Sequence, residues 1–171
     1  MTVSAPPPPK PTTTVVLVPP SRMVQEIHRF LEPEIRAGLV EVSETAQQIT
    51  VHLAGAGMFD SGRAEVRPEY LHTLDAIGEA LKDQPGEVTI TGHTDSVKPS
   101  VNARYSTNLL LSQARAEAVR AILASHLPTP ERLRTEGRAD WEQIDKSGSE
   151  EGNRKNRRIE LILIKGRGTP S

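Results

Sequence analysis

Apolar and polar positions along this chain follow two periods, one typical of helices and one typical of strands. Near the start, four apolar residues recur at the spacing of an amphipathic helix: Val24, Ile27, Leu31 and Ile35. Ser21 precedes them as a suitable N-cap, Pro33 interrupts them, and Gly38 is a suitable end. We therefore predict a lead-in helix that begins near Ser21 and kinks or restarts at Pro33.

Strand-like alternation follows this helix. Residues 39–42, Leu-Val-Glu-Val, form a short strand pattern, and residues 48–53 alternate apolar and polar side chains. We predict that these two strands pair as a hairpin across residues 43–47.

A second helical stripe follows Pro68, a residue that suits the first position of a helix. The apolar and small members of this stripe are Leu71, Leu74, Ile77, Gly78 and Leu81. Pro85-Gly86 ends the unit, and a strand pattern over residues 87–91 leads into Gly92-His93-Thr94-Asp95.

The second half of the chain predicts one further helix and two strands. The helix covers residues 110–125, and the strands cover residues 132–137 and 159–164, with a polar loop at 139–155 around Trp141. Strands joined by helical crossovers lie parallel and adjacent or nearly so, whereas the last strand follows only a loop. The order β-β-α-β-α-β-β after an opening helix therefore predicts an α+β sandwich with a mixed sheet.

The length of 171 residues suits one domain of ordinary size. Residues 1–20 hold seven of the fourteen prolines and predict a disordered Pro/Thr-rich linker or tether, with a proline-recognition ligand as the alternative. We expect a lead-in unit at 21–47, the main domain at 48–165 and a flexible tail at 166–171. The sequence shows neither a membrane span nor a signal peptide, so the chain itself is expected to be soluble.

Composition narrows the function classes. Lys plus Arg number 21 and Asp plus Glu number 22, so no global field attracts nucleic acid or an anionic membrane. The absence of cysteine excludes disulfide scaffolds, thiolate zinc sites and cysteine nucleophiles, although it does not identify the compartment. Five aromatic residues argue against a groove that stacks sugars or bases: Phe30, Phe59, Tyr70, Tyr105 and Trp141.

One charged residue lies at the centre of an apolar helical face. At about 100° per residue, Arg115 falls within the stripe that begins at Leu111. A guanidinium in such a place needs a partner because it stays charged. The partner is either an internal carboxylate or a ligand carboxylate gripped at the rim of a pocket.

Asp95 is the natural complement of Arg115. It lies in a polar turn where a strand ends, and such ends host binding sites in open α/β sheets. Asp95 either caps its own turn or takes a ligand ammonium. In the second case the two residues suit a zwitterion, such as an amino-acid end group.

No catalytic or metal-binding constellation is visible in the sequence. His93 and Asp95 have the spacing of two metal ligands but lack a third, so a structural histidine is expected. No serine lies in a nucleophile elbow, and Gly55 and Gly57 do not form a dinucleotide loop. We expect neither a cofactor nor a metal.

Several motifs resemble the OmpA-like peptidoglycan-binding domain, in the family's order over residues 48–165. They are Gly92-His93-Thr94-Asp95, Asn108-Leu109-Leu110-Leu111-Ser112-Gln113-Ala114-Arg115-Ala116, Gly137, and Glu151-Gly152-Asn153-Arg154-Lys155-Asn156-Arg157-Arg158-Ile159-Glu160. Residues 58–64 resemble the segment after the family's first strand. Within the family, residues 30–40 resemble the lead-in of TssL-type proteins of type VI secretion. The Thr-Asp-Ser loop and the Arg-Arg-Ile-Glu end are similar to the flagellar stator protein MotB.

The resemblance implies an OmpA-like β-α-β-α-β-β sandwich preceded by an N-terminal helix and a short strand. It also implies that Asp95 takes the ammonium and Arg115 the carboxylate of diaminopimelate in the peptidoglycan stem peptide. Asn108 and Leu111 match positions that shape the pocket, and Arg158 matches an arginine of the last motif. Thr94 belongs to the same motif as Asp95, and the resemblance therefore implies that it is also a ligand-binding residue. Leu109 stands where TssL-type and MotB-like proteins usually have tryptophan, which affects fine contacts.

The implied function is a non-catalytic wall anchor: the periplasmic domain of an inner-membrane-anchored type VI secretion component. Its implied partners are peptidoglycan, other proteins of the secretion membrane complex and a second copy in a homodimer, with no nucleic acid. Three alternatives remain: a stator anchor, an assembly domain without ligand, and a wall hydrolase suggested only by the polar loops and the spacing of His93 and Asp95.

Overall fold

The computed structural model describes residues 21–55, 57–100 and 102–165. Short 3₁₀ turns lie at Pro68–Tyr70 and Pro130–Arg132. Over these residues the elements are, in order, α1 (Arg22–Phe30), α2 (Glu32–Arg36), β1 (Val40–Glu44), β2 (Gln48–Ala54), α3 (Leu71–Lys82), β3 (Val88–His93), α4 (Asn108–Ala124), β4 (Leu133–Gly137), α5 (Glu150–Asn156) and β5 (Arg158–Ile164).

The lead-in helix is confirmed, together with its N-cap and its interruption. The Ser21 hydroxyl accepts a hydrogen bond from the Val24 amide at 3.1 Å. Pro33 lies in the first turn of α2, where its missing N–H costs nothing, so the chain restarts as a second short helix. Gly38 follows with a φ of 78°, which glycine adopts readily.

The predicted hairpin forms one edge of the sheet. β1 and β2 pair antiparallel with Val42 opposite Val51. Ile49, Val51 and Leu53 are buried on one face, because alternate residues of a strand point the same way.

The sheet is mixed, with the strand order β1-β2-β5-β3-β4. β3 and β4 pair in parallel and are joined by α4. β5 inserts between β2 and β3 and runs antiparallel to both, so β2 and β3 themselves run in the same direction. The last strand, apolar on both faces in the sequence, is thus the central strand of the sheet.

The core lies between one face of this sheet and helices α1, α3 and α4. The predicted α3 helix is observed, and four of its five stripe residues are buried, whereas Leu71 is 40% exposed. Leu71 is the first residue of α3, directly after the 3₁₀ turn, and the helix reaches the core only from Thr73 onward. Gly78 admits His126 of the neighbouring segment, since a Cβ there would lie 2.9 Å from the histidine side chain.

One predicted loop contains a helix. Residues 139–155 lack an apolar period, yet α5 forms at Glu150–Asn156. Its Ser149 N-cap accepts from the Gly152 amide at 3.0 Å, and capping rather than an apolar stripe starts this helix. α4 begins two residues earlier than predicted because Thr107 caps it by accepting from the Leu110 amide at 3.1 Å. Among the described residues, no helix combines the length and apolarity required to cross a bilayer.

Candidate ligand-binding site

A cavity of about 920 Å³ opens at the end of the sheet where β2 and β3 stop and β5 begins. Its walls come from the segment after β2, the loop after β3, the first turns of α4, and α5 with the residue that follows it. Five of the six predicted site residues line it: Thr94, Asp95, Asn108, Leu111 and Arg115. The topology therefore brings together residues up to 21 positions apart in sequence, and adds Arg154 of α5 and Arg157, which directly follows α5.

Close packing of β3 against α4 gives the cavity its depth. A Cβ at Gly92 would collide with the backbone oxygen of Ser112 on α4, so only glycine permits this approach. Gly137 of β4 likewise leaves room for Gln113, whose amide would lie 2.7 Å from an added Cβ. Glycines at the ends of both parallel strands thus let the start of α4 lie directly beside Asp95.

Both oxygens of the Asp95 carboxylate have partners. Oδ1 accepts from the Val97 amide at 3.0 Å, so Asp95 does cap its own turn. Oδ2 lies 2.6 Å from Nη1 of Arg157 in an ion pair. The carboxylate is buried at the cavity wall, where a charge is stabilised only by such pairing.

The Arg115 guanidinium is held without a carboxylate. Nε donates to the backbone oxygen of Arg63 at 2.8 Å, and Nη2 donates to that of Asp60 at 3.2 Å. The guanidinium carbon lies 4.9 Å from the centre of the Phe59 ring. Among the described residues no carboxylate lies within 4 Å of Arg115, so the alternative of an internal ion pair is not observed.

Arg115 is a buried cation that can still bind an anion. Burial, followed by repulsion from Arg157, lowers the pKa of Arg115 to about 10, with Asp95 acting in the opposite direction. The group therefore stays protonated at neutral pH. Two neutral carbonyls and a ring face orient the guanidinium, but they do not cancel its charge.

Asn108, Thr94 and Leu111 shape the cavity. The Asn108 amide nitrogen donates to the backbone oxygens of Asp95 at 3.3 Å and Val97 at 3.1 Å, which ties the first turn of α4 to the loop. The Thr94 hydroxyl donates to the Asp95 oxygen at 2.8 Å. Leu111 is buried and supplies an apolar wall.

The sixth predicted residue, Arg158, does not line the cavity. Its buried guanidinium pairs with Glu160 at 2.7 Å and donates to the backbone oxygens of Asn156 and Glu142. The preceding arginine, Arg157, lines the cavity instead, because consecutive residues of an extended chain point to opposite sides. The only signal for this in the sequence was the pair of adjacent arginines in the last motif. The register of β5 determines which of the two faces the cavity.

Arg157 also bridges two acidic residues. Besides Asp95, it pairs with Glu150 at 3.0 Å through Nη2. Arg157 follows α5 directly, and α5 is the helix that the sequence did not predict. This explains why sequence reasoning missed the role of Arg157 at the cavity.

His93 belongs to the sheet and not to the cavity. Its buried ring lies opposite Arg158 in the β3–β5 register, and Nε2 is 3.8 Å from a Glu160 oxygen, beyond hydrogen-bond distance. Burial, and then the charge of Arg158, lowers the pKa of His93 to about 4, so the ring is neutral at pH 7. The described residues contain no group of three metal-ligating side chains, His93 included.

Comparison with known proteins places this geometry in a family context. The model of the OmpA family matches residues 58–157. The cell wall anchor of the type VI secretion system from Pseudomonas aeruginosa is 36% identical, with a TM-score of 0.75, over 81% of this chain and 96% of that one. A MotB-like protein from Desulfovibrio vulgaris shares the fold, with a TM-score of 0.76 at 24% identity over 82% of this chain and 90% of that one.

Among curated proteins, the probable lipoprotein YiaD of Escherichia coli is 30% identical over 134 residues, or 78% of this chain and 59% of its own length. The chain spans 54% to 62% of the length of the first curated relatives it matches. The resemblance seen in the sequence is confirmed, as is the α+β fold with a mixed sheet. The family is one of binding domains, so the chain is not an enzyme, as predicted.

Proposed function

We propose that this chain, which belongs to the OmpA family, binds peptidoglycan without catalysis. The ligand is the diaminopimelate end group of the stem peptide. The binding attaches a type VI secretion membrane component to the cell wall. The similar Pseudomonas aeruginosa structure, a cell wall anchor of that system, supports this assignment.

The observation that carries the proposal is the uncompensated charge of Arg115. Its guanidinium is buried, lines the cavity and has only neutral partners among the described residues. A ligand carboxylate would supply the missing negative charge through a charge-assisted hydrogen bond. Because two backbone carbonyls and Phe59 hold the group in place, little side-chain entropy is lost on binding.

Asp95 takes the ligand ammonium on the other side of the same cavity. Its Oδ2 is paired with Arg157, which in turn has a second partner in Glu150. An incoming ammonium shares or replaces the Arg157 contact, and Glu150 keeps Arg157 paired when it moves. Asn108, Leu111 and Thr94 shape the pocket, and Arg157 takes the role that sequence reasoning gave to Arg158.

The proposed setting is the periplasmic side of the inner membrane. Residues 1–20 connect the domain to the membrane-anchored part of a longer protein, 21–47 form the lead-in, 48–165 form the binding domain and 166–171 form the tail. Residues 1–20 and 166–171 lie outside the described residues. Other proteins of the secretion membrane complex and a second copy of the chain are the proposed protein partners.

A flagellar-stator anchor is the second candidate, since the MotB-like protein shares the fold. Deletion of the chain's gene from its host separates the two candidates. Loss of secretion with normal swimming supports the first, and loss of swimming with normal secretion supports the second.

The binding itself is tested by calorimetric titration with a stem peptide that contains meso-diaminopimelate. Asp95→Asn and Arg115→Met should each weaken binding by about 2–5 kcal/mol, since each removes one partner of a desolvated charged contact. Glu117→Gln, on the exposed side of α4, is the matched control and should bind as the wild type does. Undiminished binding by both cavity variants would overturn the site.

A further inference from the structure

The cavity concentrates positive charge in a chain that is nearly neutral overall. Its walls include six cationic side chains and two acidic ones, Asp95 and Glu150, whereas the whole chain has a formal net charge of −1. The cationic residues are Arg63, Lys98, Arg104, Arg115, Arg154 and Arg157.

Internal pairing accounts for only part of this charge. Arg157 serves both acidic residues of the wall, at 2.6 Å and 3.0 Å. Arg104 pairs with Glu65 outside the cavity lining at 3.1 Å. Four cations of the wall therefore make no ion pair within 4 Å among the described residues: Arg63, Lys98, Arg115 and Arg154.

These four cations occupy different depths. Arg115 is buried at 6% exposure, whereas Arg63, Lys98 and Arg154 are exposed around the mouth. The three exposed cations come from three separate segments, namely the segment after β2, the loop after β3, and α5. The fold therefore places three exposed cations and one buried cation on the walls of the same cavity. Such a concave patch focuses the field on anions that approach it.

One zwitterionic end group does not match this arrangement. Its carboxylate satisfies Arg115 and its ammonium satisfies Asp95, so the net charge it delivers is zero. We name the three exposed cations, Arg63, Lys98 and Arg154, the rim cations. Their positive charge then remains without a counter-charge. The cavity volume of about 920 Å³ also exceeds what one amino-acid end group fills, and suits a short peptide.

We propose that the rim cations recognise a second carboxylate of the ligand, namely the free α-carboxylate of the stem-peptide glutamate. This inference rests on the proposed function and deepens it by naming the ligand class. The preferred ligand is a stem peptide whose glutamate α-carboxylate is free, and the peptide with a carboxamide at that position binds more weakly. Rim contacts are solvent-exposed, so each contributes modestly and is weakened by salt.

The test compares three synthetic ligands by calorimetry at low salt: meso-diaminopimelate, the tripeptide L-Ala-γ-D-Glu-meso-diaminopimelate, and the same tripeptide with its glutamate α-carboxylate converted to a carboxamide. The wild type should bind the acid tripeptide about 3- to 10-fold more tightly than the amide, as expected for one or two exposed ionic contacts. This preference should shrink toward unity in the triple variant Arg63→Gln, Lys98→Gln, Arg154→Gln. Arg29→Gln, on exposed α1 away from the cavity, removes the same kind of charge and should keep the preference.

Each outcome has a distinct meaning. Equal affinity of the wild type for acid and amide tripeptides overturns the second-carboxylate site and leaves the proposed function standing. A preference that persists unchanged in the triple variant also overturns the rim assignment. Failure of the wild type to bind any of the three ligands overturns the proposed function itself, and this inference with it.

Discussion

Asp95 Oδ2 and Arg157 Nη1 lie 2.6 Å apart and join the end of β3 to the end of α5 across the cavity. The pair is well shielded, with 9% of the Asp95 side chain and 27% of the Arg157 side chain exposed. The contact joins the loop after β3 to the residue that follows α5. It also places a cation beside the Asp95 carboxylate, which is proposed to bind the ligand ammonium.

Arg157→Gln should lower the free energy of unfolding by about 1–3 kcal/mol, since the variant leaves the buried Asp95 carboxylate without its cation. Urea denaturation measures this change. Arg154, on the preceding helix α5, makes no ion pair among the described residues, so Arg154→Gln should change the value by less than about 0.5 kcal/mol. Equal effects of the two variants would contradict a specific Asp95–Arg157 contact.

Arg115→Met should weaken ligand binding by about 2–5 kcal/mol, while it changes the free energy of unfolding by less than about 1 kcal/mol. The substitution removes two hydrogen bonds to carbonyls, but it also removes the cost of burying a cation without a counter-charge. Paired calorimetry and urea denaturation separate the two effects. A loss of several kcal/mol of stability would instead identify Arg115 as a structural residue.

Gly92→Ala should destabilise the domain by about 2–4 kcal/mol, because the added Cβ meets the backbone of Ser112 and α4 has to move. Gly148→Ala is the matched control. Gly148 has a φ of 76° and open space around it, so its substitution reports backbone strain alone, at about 1 kcal/mol. Thermal unfolding of both variants gives the comparison, and a smaller loss for Gly92→Ala than for Gly148→Ala would refute the packing argument.

The stability of the wild type should fall as the pH falls from about 6.5 toward 4. The pKa of His93 is lowered to about 4 in the folded chain from an ordinary value of 6.5, so the unfolded chain binds a proton in this window and the folded chain does not. Burial also lowers the pKa of His52, which adds to the same trend.

His93→Gln tests this pH dependence. The free energy of unfolding should vary by about 1–3 kcal/mol less between pH 6.5 and 4 in this variant than in the wild type. Urea denaturation at a series of pH values provides the measurement. His28→Gln, an exposed change on α1, should reproduce the wild-type curve, and a His93→Gln curve parallel to the wild type would exclude His93 as the source.

Much of the architecture follows from local pattern. The Ser21 cap, the Pro33 restart and the β1–β2 hairpin all depend on near neighbours in sequence, and each is observed where it was predicted. The missed features lack such local signals. α5 is a polar helix started by a cap, and Leu71 is exposed because a 3₁₀ turn displaces the start of α3.

For the site, local sequence patterns are sufficient to place Arg115 on an apolar helical face and Asp95 just after a strand. These facts follow from helix and strand periods, which are local properties of the chain. The tertiary structure decided what each group touches. Carbonyls rather than a carboxylate hold Arg115, and Arg157 rather than Arg158 reaches Asp95.

The rim cations likewise depend on the tertiary structure and not on local sequence patterns. Arg63, Lys98 and Arg154 are unremarkable surface charges in the sequence, and they meet only because three distant segments end at one edge of the sheet. Pairing between distant charges depends on distances of a few ångströms, which strand register and helix packing set and which no local period encodes.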